Sequence, residues 1–264
     1  MDQTKELQNQ SFQLCKLIYQ VCEKHQITCF LAAGTLLGAI RNQGFIPWDD
    51  DIDLEIDRRK YKYFQKIVKK ELGDTVFLQN YDSDKHFPFP FTKIFFKSPE
   101  NENLKYPELN KSGFAFIDVF PIGRCPKNDF LAKLYFKFTE LLTVAINSKY
   151  AEEKIMVCGY TKKTAKILFH LFRHLPSGAL QKITTAIADL ADALSSGCVV
   201  GYAGGKYGYP KEKYLGIWYE KSIKLQFEGE LFDAPAYWDE LLKHKYGQYW
   251  ILPKENERQG HHSK

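Results

Sequence analysis

The chain has 264 residues, of which 44% are hydrophobic, 15% aromatic and 26% charged, with a formal net charge of +5. Such a composition supports a large folded domain around a real core and excludes a disordered chain. The mild basicity fits an anionic small molecule or an acidic surface; no basic block and no aromatic RNA-binding motif points to nucleic acid as a partner.

The polar start, MDQTKELQNQ, lacks the basic-then-apolar order of a signal peptide. No run of about 18 apolar residues suggests a membrane-spanning helix, so a cytoplasmic location is expected. Leu7, Leu14, Leu17, Ile18, Val21 and Cys22 recur near helical spacing and predict an amphipathic helix over 4–25. ITCFLAA (27–33) reads as a buried strand, and GTLLGAIRNQG as a turn entering a short helix. Residues 51–56 alternate apolar and acidic side chains, which predicts a strand; RRKYKYFQKIVKKEL (58–72) predicts a helix with Tyr61, Phe64 and Val68 inward. TVFLQNY and FTKIFF read as strands, followed by the polar loop KSPENENLKYPELNKSG. FAFIDVFPI (114–122) predicts another strand, stopped at Pro121 or just after it.

Residues 128–150 and 161–196 are helical in pattern and rich in Leu, Phe, Ala and Lys. From 198 come mixed loops, a strand at 222–228 and a helix near 236–246. Cys15, Cys22 and Cys29 lie seven apart, but the six cysteines form no CxxC pair and read as small buried side chains in a reduced protein. The order of elements predicts an α+β fold. Its mixed sheet is flanked by helices, in one domain whose core (1–125 and 198–264) carries a helical insertion (126–197).

The stretch FIPWDDDIDLEI gathers four aspartates within five residues. A calcium loop counted from Asp49 fails, because Leu54 and Lys60 occupy the places of its glycine and glutamate. A helical DDxxD reading is formally met by Asp49, Asp50 and Asp53, but period two marks a strand and no second such motif exists. On a strand, Asp51 and Asp53 share a face about 6–7 Å apart, while Ile52 and Leu54 pack behind. A divalent cation between them removes their repulsion and makes a phosphate-handling site. The bland alternative is a solvated turn after Pro47. Upstream, Gly34 and Thr35 sit between a predicted strand and a helix, where backbone N–H groups bind phosphate well. A glycine-hydroxyl turn, a helix and then a D-x-D strand is the arrangement of the nucleotidyltransferase fold. That fold wants a third carboxylate on a neighbouring strand, and FIDVF offers Asp118.

The block GTLLGAIRNQGFIPWDDDIDLEI closely resembles the signature of the LicD family of phosphotransferases, related to the fukutin group. Arg58, Tyr61, Lys93 in FTKIFF, FIDVFPI, FEGELFDAPAYWDELLKHKYG and LPKENERQGHHS extend the resemblance to both ends. It is weak from about 126 to 197. Departures are Asn42, where His is usual, and Lys60, where an acidic residue is usual. The resemblance implies transfer of phosphocholine, or a similar phospho-substituent, from a CDP-activated donor to a sugar of a surface glycan, lipopolysaccharide or teichoic acid, with release of CMP. It implies Mg²⁺, with Mn²⁺ as a substitute, held by Asp51, Asp53 and Asp118, and Asp118 as the candidate base.

Arg41 and Arg58 flank the acidic strand, to bind donor phosphate or to balance the carboxylates. Lys93 is a candidate for phosphate contact. Trp48 stacks on a base or packs in the core. Arg258, His261 and His262 lie in a terminal segment that either returns to the site or frays. GYAGGKYGYP is not a phosphate-binding loop, since Val200 and Tyr207 occupy its first Gly and its Ser/Thr positions. TKKTAKILFHLFRHLPSGALQKI is basic and apolar, and packs on the sheet or rests on an anionic membrane at its inner face, where a lipid-linked glycan acceptor would be met. The competing functions are a D-x-D glycosyltransferase, separable by release of UDP or GDP rather than CMP, and a non-catalytic glycan-assembly protein, which would lack one of the metal carboxylates.

Overall fold

The computed structural model describes residues 3–106, 108–149, 167, 170–172, 174–202, 205, 207–255 and 258. Helix α1 (Gln3–Lys24) buries Leu14, Cys15, Ile18, Val21 and Cys22 on one face, as its spacing dictates. Strand β1 (Cys29–Leu31), helix α2 (Ala33–Asn42), strand β2 (Ile52–Asp57) and helix α3 (Arg58–Leu72) follow. Then come β3 (Val76–Gln79), β4 (Thr92–Phe96), the single turn α4 (Glu108–Lys111) and β5 (Phe116–Arg124). Helices α5 (Asp129–Asn147) and α6 (Ser177–Leu194) form the insertion. The chain closes with β6 (Val199–Gly201), β7 (Lys213–Leu215), a 3₁₀ turn (Gly216–Tyr219), β8 (Ser222–Phe227), β9 (Glu230–Pro235) and α7 (Trp238–Tyr246).

The sheet is mixed, in the order β3-β4-β5-β2-β1-β9-β8, and β6 pairs with β5 and β7. Strands β2 and β5 are parallel, as are β1 and β9. Ile52, Leu54, Ile56, Ile117 and Val119 join α1 and α3 in the main core, with Leu14, Ile18, Phe64 and Val68. Period two therefore turns Asp53, Glu55 and Asp118 to the opposite face. The insertion docks by ion pairs: Arg124 to Asp192 at 2.9 Å and Arg58 to Asp189 at 3.0 Å.

The expected α+β sheet with a helical insertion is present. Three local readings need correction. Strand β5 runs through Pro121 to Arg124. β4 pairs with it only as far as Val119 and β6 begins at Gly123, so Pro121 lies where that edge is open, and a missing N–H is tolerated there. The helix expected over 161–196 is divided: α6 starts behind Pro176, whose ring forces Leu175 out of helical geometry. The short strands β6 and β7 and the whole of β9 were not legible in the pattern. β9 returns from β8 through Glu228 and Gly229, both at positive φ (51° and 83°), the conformation of a two-residue hairpin turn.

Candidate active site

The hairpin tip helps to place the acidic segment. Glu228 N–H donates to the Gln43 carbonyl at 2.9 Å, and its side chain accepts from Phe45 N–H at 3.0 Å. A Cβ on Gly44 would lie 2.1 Å from Glu228 Oε1, so a side chain there would push Glu228 off Phe45 N–H. From α1, Gln8 Nε2 donates to the Asp49 carbonyl at 2.7 Å. The acidic segment is thus held by α1 and the β8–β9 tip before it enters β2.

Register then assembles the carboxylates. Asp53 on β2 pairs with Asp118 on β5, and Asp118 pairs with Lys93 on β4. Asp51, Asp53 and Asp118 each offer an oxygen within 4.8 Å of the others, and Asp49, Asp50 and Asp51 form a second such group. Thr35 Oγ1 accepts from Asp53 N–H at 2.8 Å, so its hydroxyl fixes β2 against α2. A Cβ on Gly34 would sit 2.7 Å from Asp49 Oδ2 and 4.0 Å from Asp53 Oδ2; glycine leaves room beside the cluster. Ala33 just before it takes φ 43°, a left-handed turn from β1 into α2.

Burial and the neighbouring Asp51, Asp118 and Asp49 carboxylates hold Asp53 well above the usual carboxylate range, against a weaker pull from Lys245. Hard oxygen donors converging with uncompensated like charge suit Mg²⁺ or Mn²⁺. Lys93 is 4% exposed and donates to both Asp118 oxygens, at 2.9 and 3.0 Å, with its ammonium 3.5 Å above the Phe116 ring. It compensates one of the three charges.

The other expected residues separate. Arg58 is not brought to the aspartates: its guanidinium donates to Asp189 and to the Thr185 carbonyl on α6. Arg41 Nη1 donates to the Tyr249 carbonyl at 3.1 Å, tying α2 to the segment after α7; burial holds its pKa below the ordinary value. Trp48 packs partly against the core, and the Arg258 guanidinium lies 5.5 Å over its ring. The C-terminal segment therefore reaches the acidic loop at Arg258. His261 and His262 lie outside the described residues.

Sequence reasoning missed a second polar group on the same face. Glu55 accepts from Tyr219 OH at 2.8 Å, and the buried Lys245 on α7 pairs with Glu212 at 3.3 Å, which also accepts from Tyr214 OH at 2.6 Å. Glu55 could have been found, since it continues the parity of Asp51 and Asp53; nothing local marks Glu212 or Lys245. Burial lowers the Lys245 pKa, but Glu212, Glu55 and Asp53 together outweigh it and hold the ammonium above its usual value. Burial pushes the Glu55 carboxyl up to about 7, with Lys245 and Tyr219 opposing and Glu212 adding. A raised carboxyl gives stability that is full below its unfolded value of about 4.3 and is lost as pH rises through 7. Glu55→Gln keeps the acceptor for Tyr219 and removes the charge. It is expected to outlast wild type at pH 8 by at most on the order of 3 kcal/mol, at about 1.4 kcal/mol per pH unit. Thermal melts at pH 5 and pH 8 check this; a gap that does not narrow toward pH 5 contradicts the assignment.

A cavity of about 700 Å³ lies between α3 and the β3–β4 edge and is lined by Arg58, Lys62, Lys66, Phe77, Tyr81 and Phe91 among others. None of the three converging aspartates lines it. Chemistry rather than volume therefore locates the site.

A mixed sheet with helical flanks and carboxylates converging from two parallel strands has nucleotidyltransferase-like architecture. Residues 26–140, which hold all three aspartates and Lys93, match the family model described as LicD/FKTN/FKRP, nucleotidyltransferase domain. The chain is 25% identical to the lipopolysaccharide cholinephosphotransferase LicD of Haemophilus influenzae, over 92% of this chain and 90% of that protein. Uncharacterized proteins of Rickettsia typhi and Rickettsia prowazekii are 33% and 30% identical over 42% of this chain, covering 43% and 51% of their own lengths. The match places residues 26–140 with LicD-family nucleotidyltransferase domains, and that likeness supports a transferase activity. No described helix is long and apolar enough to cross a membrane.

Proposed function

We propose that the protein transfers phosphocholine, or a similar phospho-substituent, from a CDP-activated donor to a sugar hydroxyl of a surface glycan, releasing CMP. The observation that carries this is the Asp53–Asp118 pair across β2 and β5 with Asp51 beside it, inside the matched domain. Asp51, Asp53 and Asp118 would hold Mg²⁺, which when bound supplies charge neutralisation at the donor diphosphate. The chain's own work is positional. Thr35 and Gln8 fix the strand and loop that present the aspartates, and Lys93 orients Asp118. With an ammonium on both oxygens, Asp118 serves better as a ligand than as the acceptor of the sugar hydroxyl's proton. The exposed side of α5, with Phe130, Leu134 and Phe138 beside Lys133 and Lys137, supports peripheral contact with an anionic membrane, where a lipid-linked acceptor would be met. In the basic segment singled out in the sequence, residues 161–166, 168, 169 and 173 lie outside the described residues, while Ile167, Leu171 and Leu175 are exposed.

Incubation with Mg²⁺ and a panel of CDP-alcohols, with and without candidate glycans, tests the reading by CMP release. Release of UDP or GDP from nucleotide sugars, with none from the CDP panel, would favour a glycosyltransferase instead.

The tail gives a second test. Truncation after Lys254 removes Arg258 from Trp48 but keeps Tyr249, which is 3% exposed and donates to Asp239 at 2.6 Å. The truncated protein is expected to fold and to lose about tenfold or more of its transfer activity, on the scale of one desolvated cation–π contact. Full activity would reduce the tail to surface packing.

A further inference from the structure

One step along the strands from the aspartates, β5 and the residue before β4 carry aromatic side chains on the same sheet face, beside Glu55 of β2. Phe120 lies two residues beyond Asp118 on β5 and pairs with Glu55, as Asp118 pairs with Asp53. Phe91 lies two residues before Lys93, and its ring centroid is 4.8 Å from that of Phe120. Tyr202 covers both, at 5.0 Å from Phe120 and 6.4 Å from Phe91. Both phenylalanine rings remain half-buried, so they keep accessible surface. Tyr202 is 6% exposed, and its hydroxyl has no hydrogen-bond partner among the described residues. A buried hydroxyl without a partner is unfavourable, and a ligand that reaches it removes the penalty.

Resting on the transferase reading, we propose that Phe91, Phe120 and Tyr202 seat the cationic head of the transferred group, a quaternary ammonium joined by a two-carbon link to the phosphate held at the aspartates. Same-face positions on a strand are about 6–7 Å apart, which is the reach of such a link. Ring faces carry negative potential and attract an ammonium ion. A quaternary ammonium has no N–H to donate, so an aromatic wall recognises it where a hydroxyl or carboxylate box would prefer a primary amine. This end of the sheet already places a cation over rings: Lys93 Nζ lies 3.5 Å from the Phe116 centroid and 5.6 Å from that of Phe91. The Tyr202 hydroxyl is left to donate to an oxygen of the phosphate ester.

The test compares CDP-choline with its neutral carbon isostere, in which a tert-butyl group replaces trimethylammonium, at saturating Mg²⁺. Shape is conserved and only charge differs. Wild type is expected to favour CDP-choline in kcat/KM for CMP release, and in calorimetric affinity, by about tenfold or more. Phe120→Leu and Phe91→Leu should each erase most of that preference. Tyr202→Phe should keep the preference but weaken binding of both donors. Equal use of the two donors by wild type, or a preference unchanged in both leucine variants, overturns the seat while leaving the transferase reading intact. No CMP release from any CDP-alcohol would instead remove the transferase reading, and the seat with it.

Discussion

Asp53→Asn is expected to abolish transfer while raising the melting temperature of the metal-free protein. Asp53 stands among Asp51, Asp118 and Asp49, and its carboxyl is held well above the usual range by burial and by those charges. Its folded-state value is raised, so its contribution to stability falls as pH climbs past the unfolded value. An asparagine has no charge to bury, and its amide can donate to the neighbouring carboxylates. Melts in EDTA at pH 8 should therefore rank the variant above wild type, with the difference shrinking as pH falls. Activity moves the other way. Loss of an outer-shell partner costs a metal site roughly 10–100-fold, and loss of a direct ligand is expected to exceed that. Mg²⁺ should raise the wild-type melting temperature more than that of the variant. Near-normal CMP release from Asp53→Asn at saturating Mg²⁺ would remove Asp53 from the metal site.

The aspartates were legible because two signals coincide in one short window. Apolar residues alternate with acids, which fixes a strand and its faces, and charge gathers where a core-facing strand has no use for it. Asp118 was legible for the same reason, flanked by Ile117 and Val119. What the window could not supply is register. That Phe91 stands opposite Phe120 follows only from the pairing of β4 with β5, and Glu212 reaches Lys245 only because the fold brings the turn before β7 to α7. Arg58 shows the converse. Its place next to the D-x-D strand suggested a phosphate contact or a counter-charge to those carboxylates, yet its partner Asp189 lies 131 residues later on the insertion, beyond any local pattern. β9 was hidden because Gly229 and Pro235 punctuate ELFDAP like a loop, whereas its pairing with both β1 and β8 makes it an interior strand.

Lys93→Met is expected to destabilise the metal-free protein severely and to make its fold depend on Mg²⁺. Methionine keeps the apolar length that packs over Phe116 but removes the cation that both Asp118 oxygens accept from. Asp118 and Lys93 side chains are only 10% and 4% exposed, so solvent does not take over the pairing. Removing one partner of a buried pair leaves an uncompensated charge and costs about 3–5 kcal/mol. At roughly 2–4 °C per kcal/mol for a domain near this size, the melting temperature in EDTA should fall by about 10 °C. Two further measurements separate this role from simple packing. Adding Asp118→Asn to Lys93→Met should restore part of the stability, because the stranded charge is gone. Mg²⁺ should raise the melting temperature of Lys93→Met more than that of wild type, because the metal then takes over the compensation that Lys93 gave Asp118. If the double variant is no more stable than the single one, and Mg²⁺ shifts wild type and variant equally, Lys93 is a packing residue and Asp118 does not need it as a counter-charge.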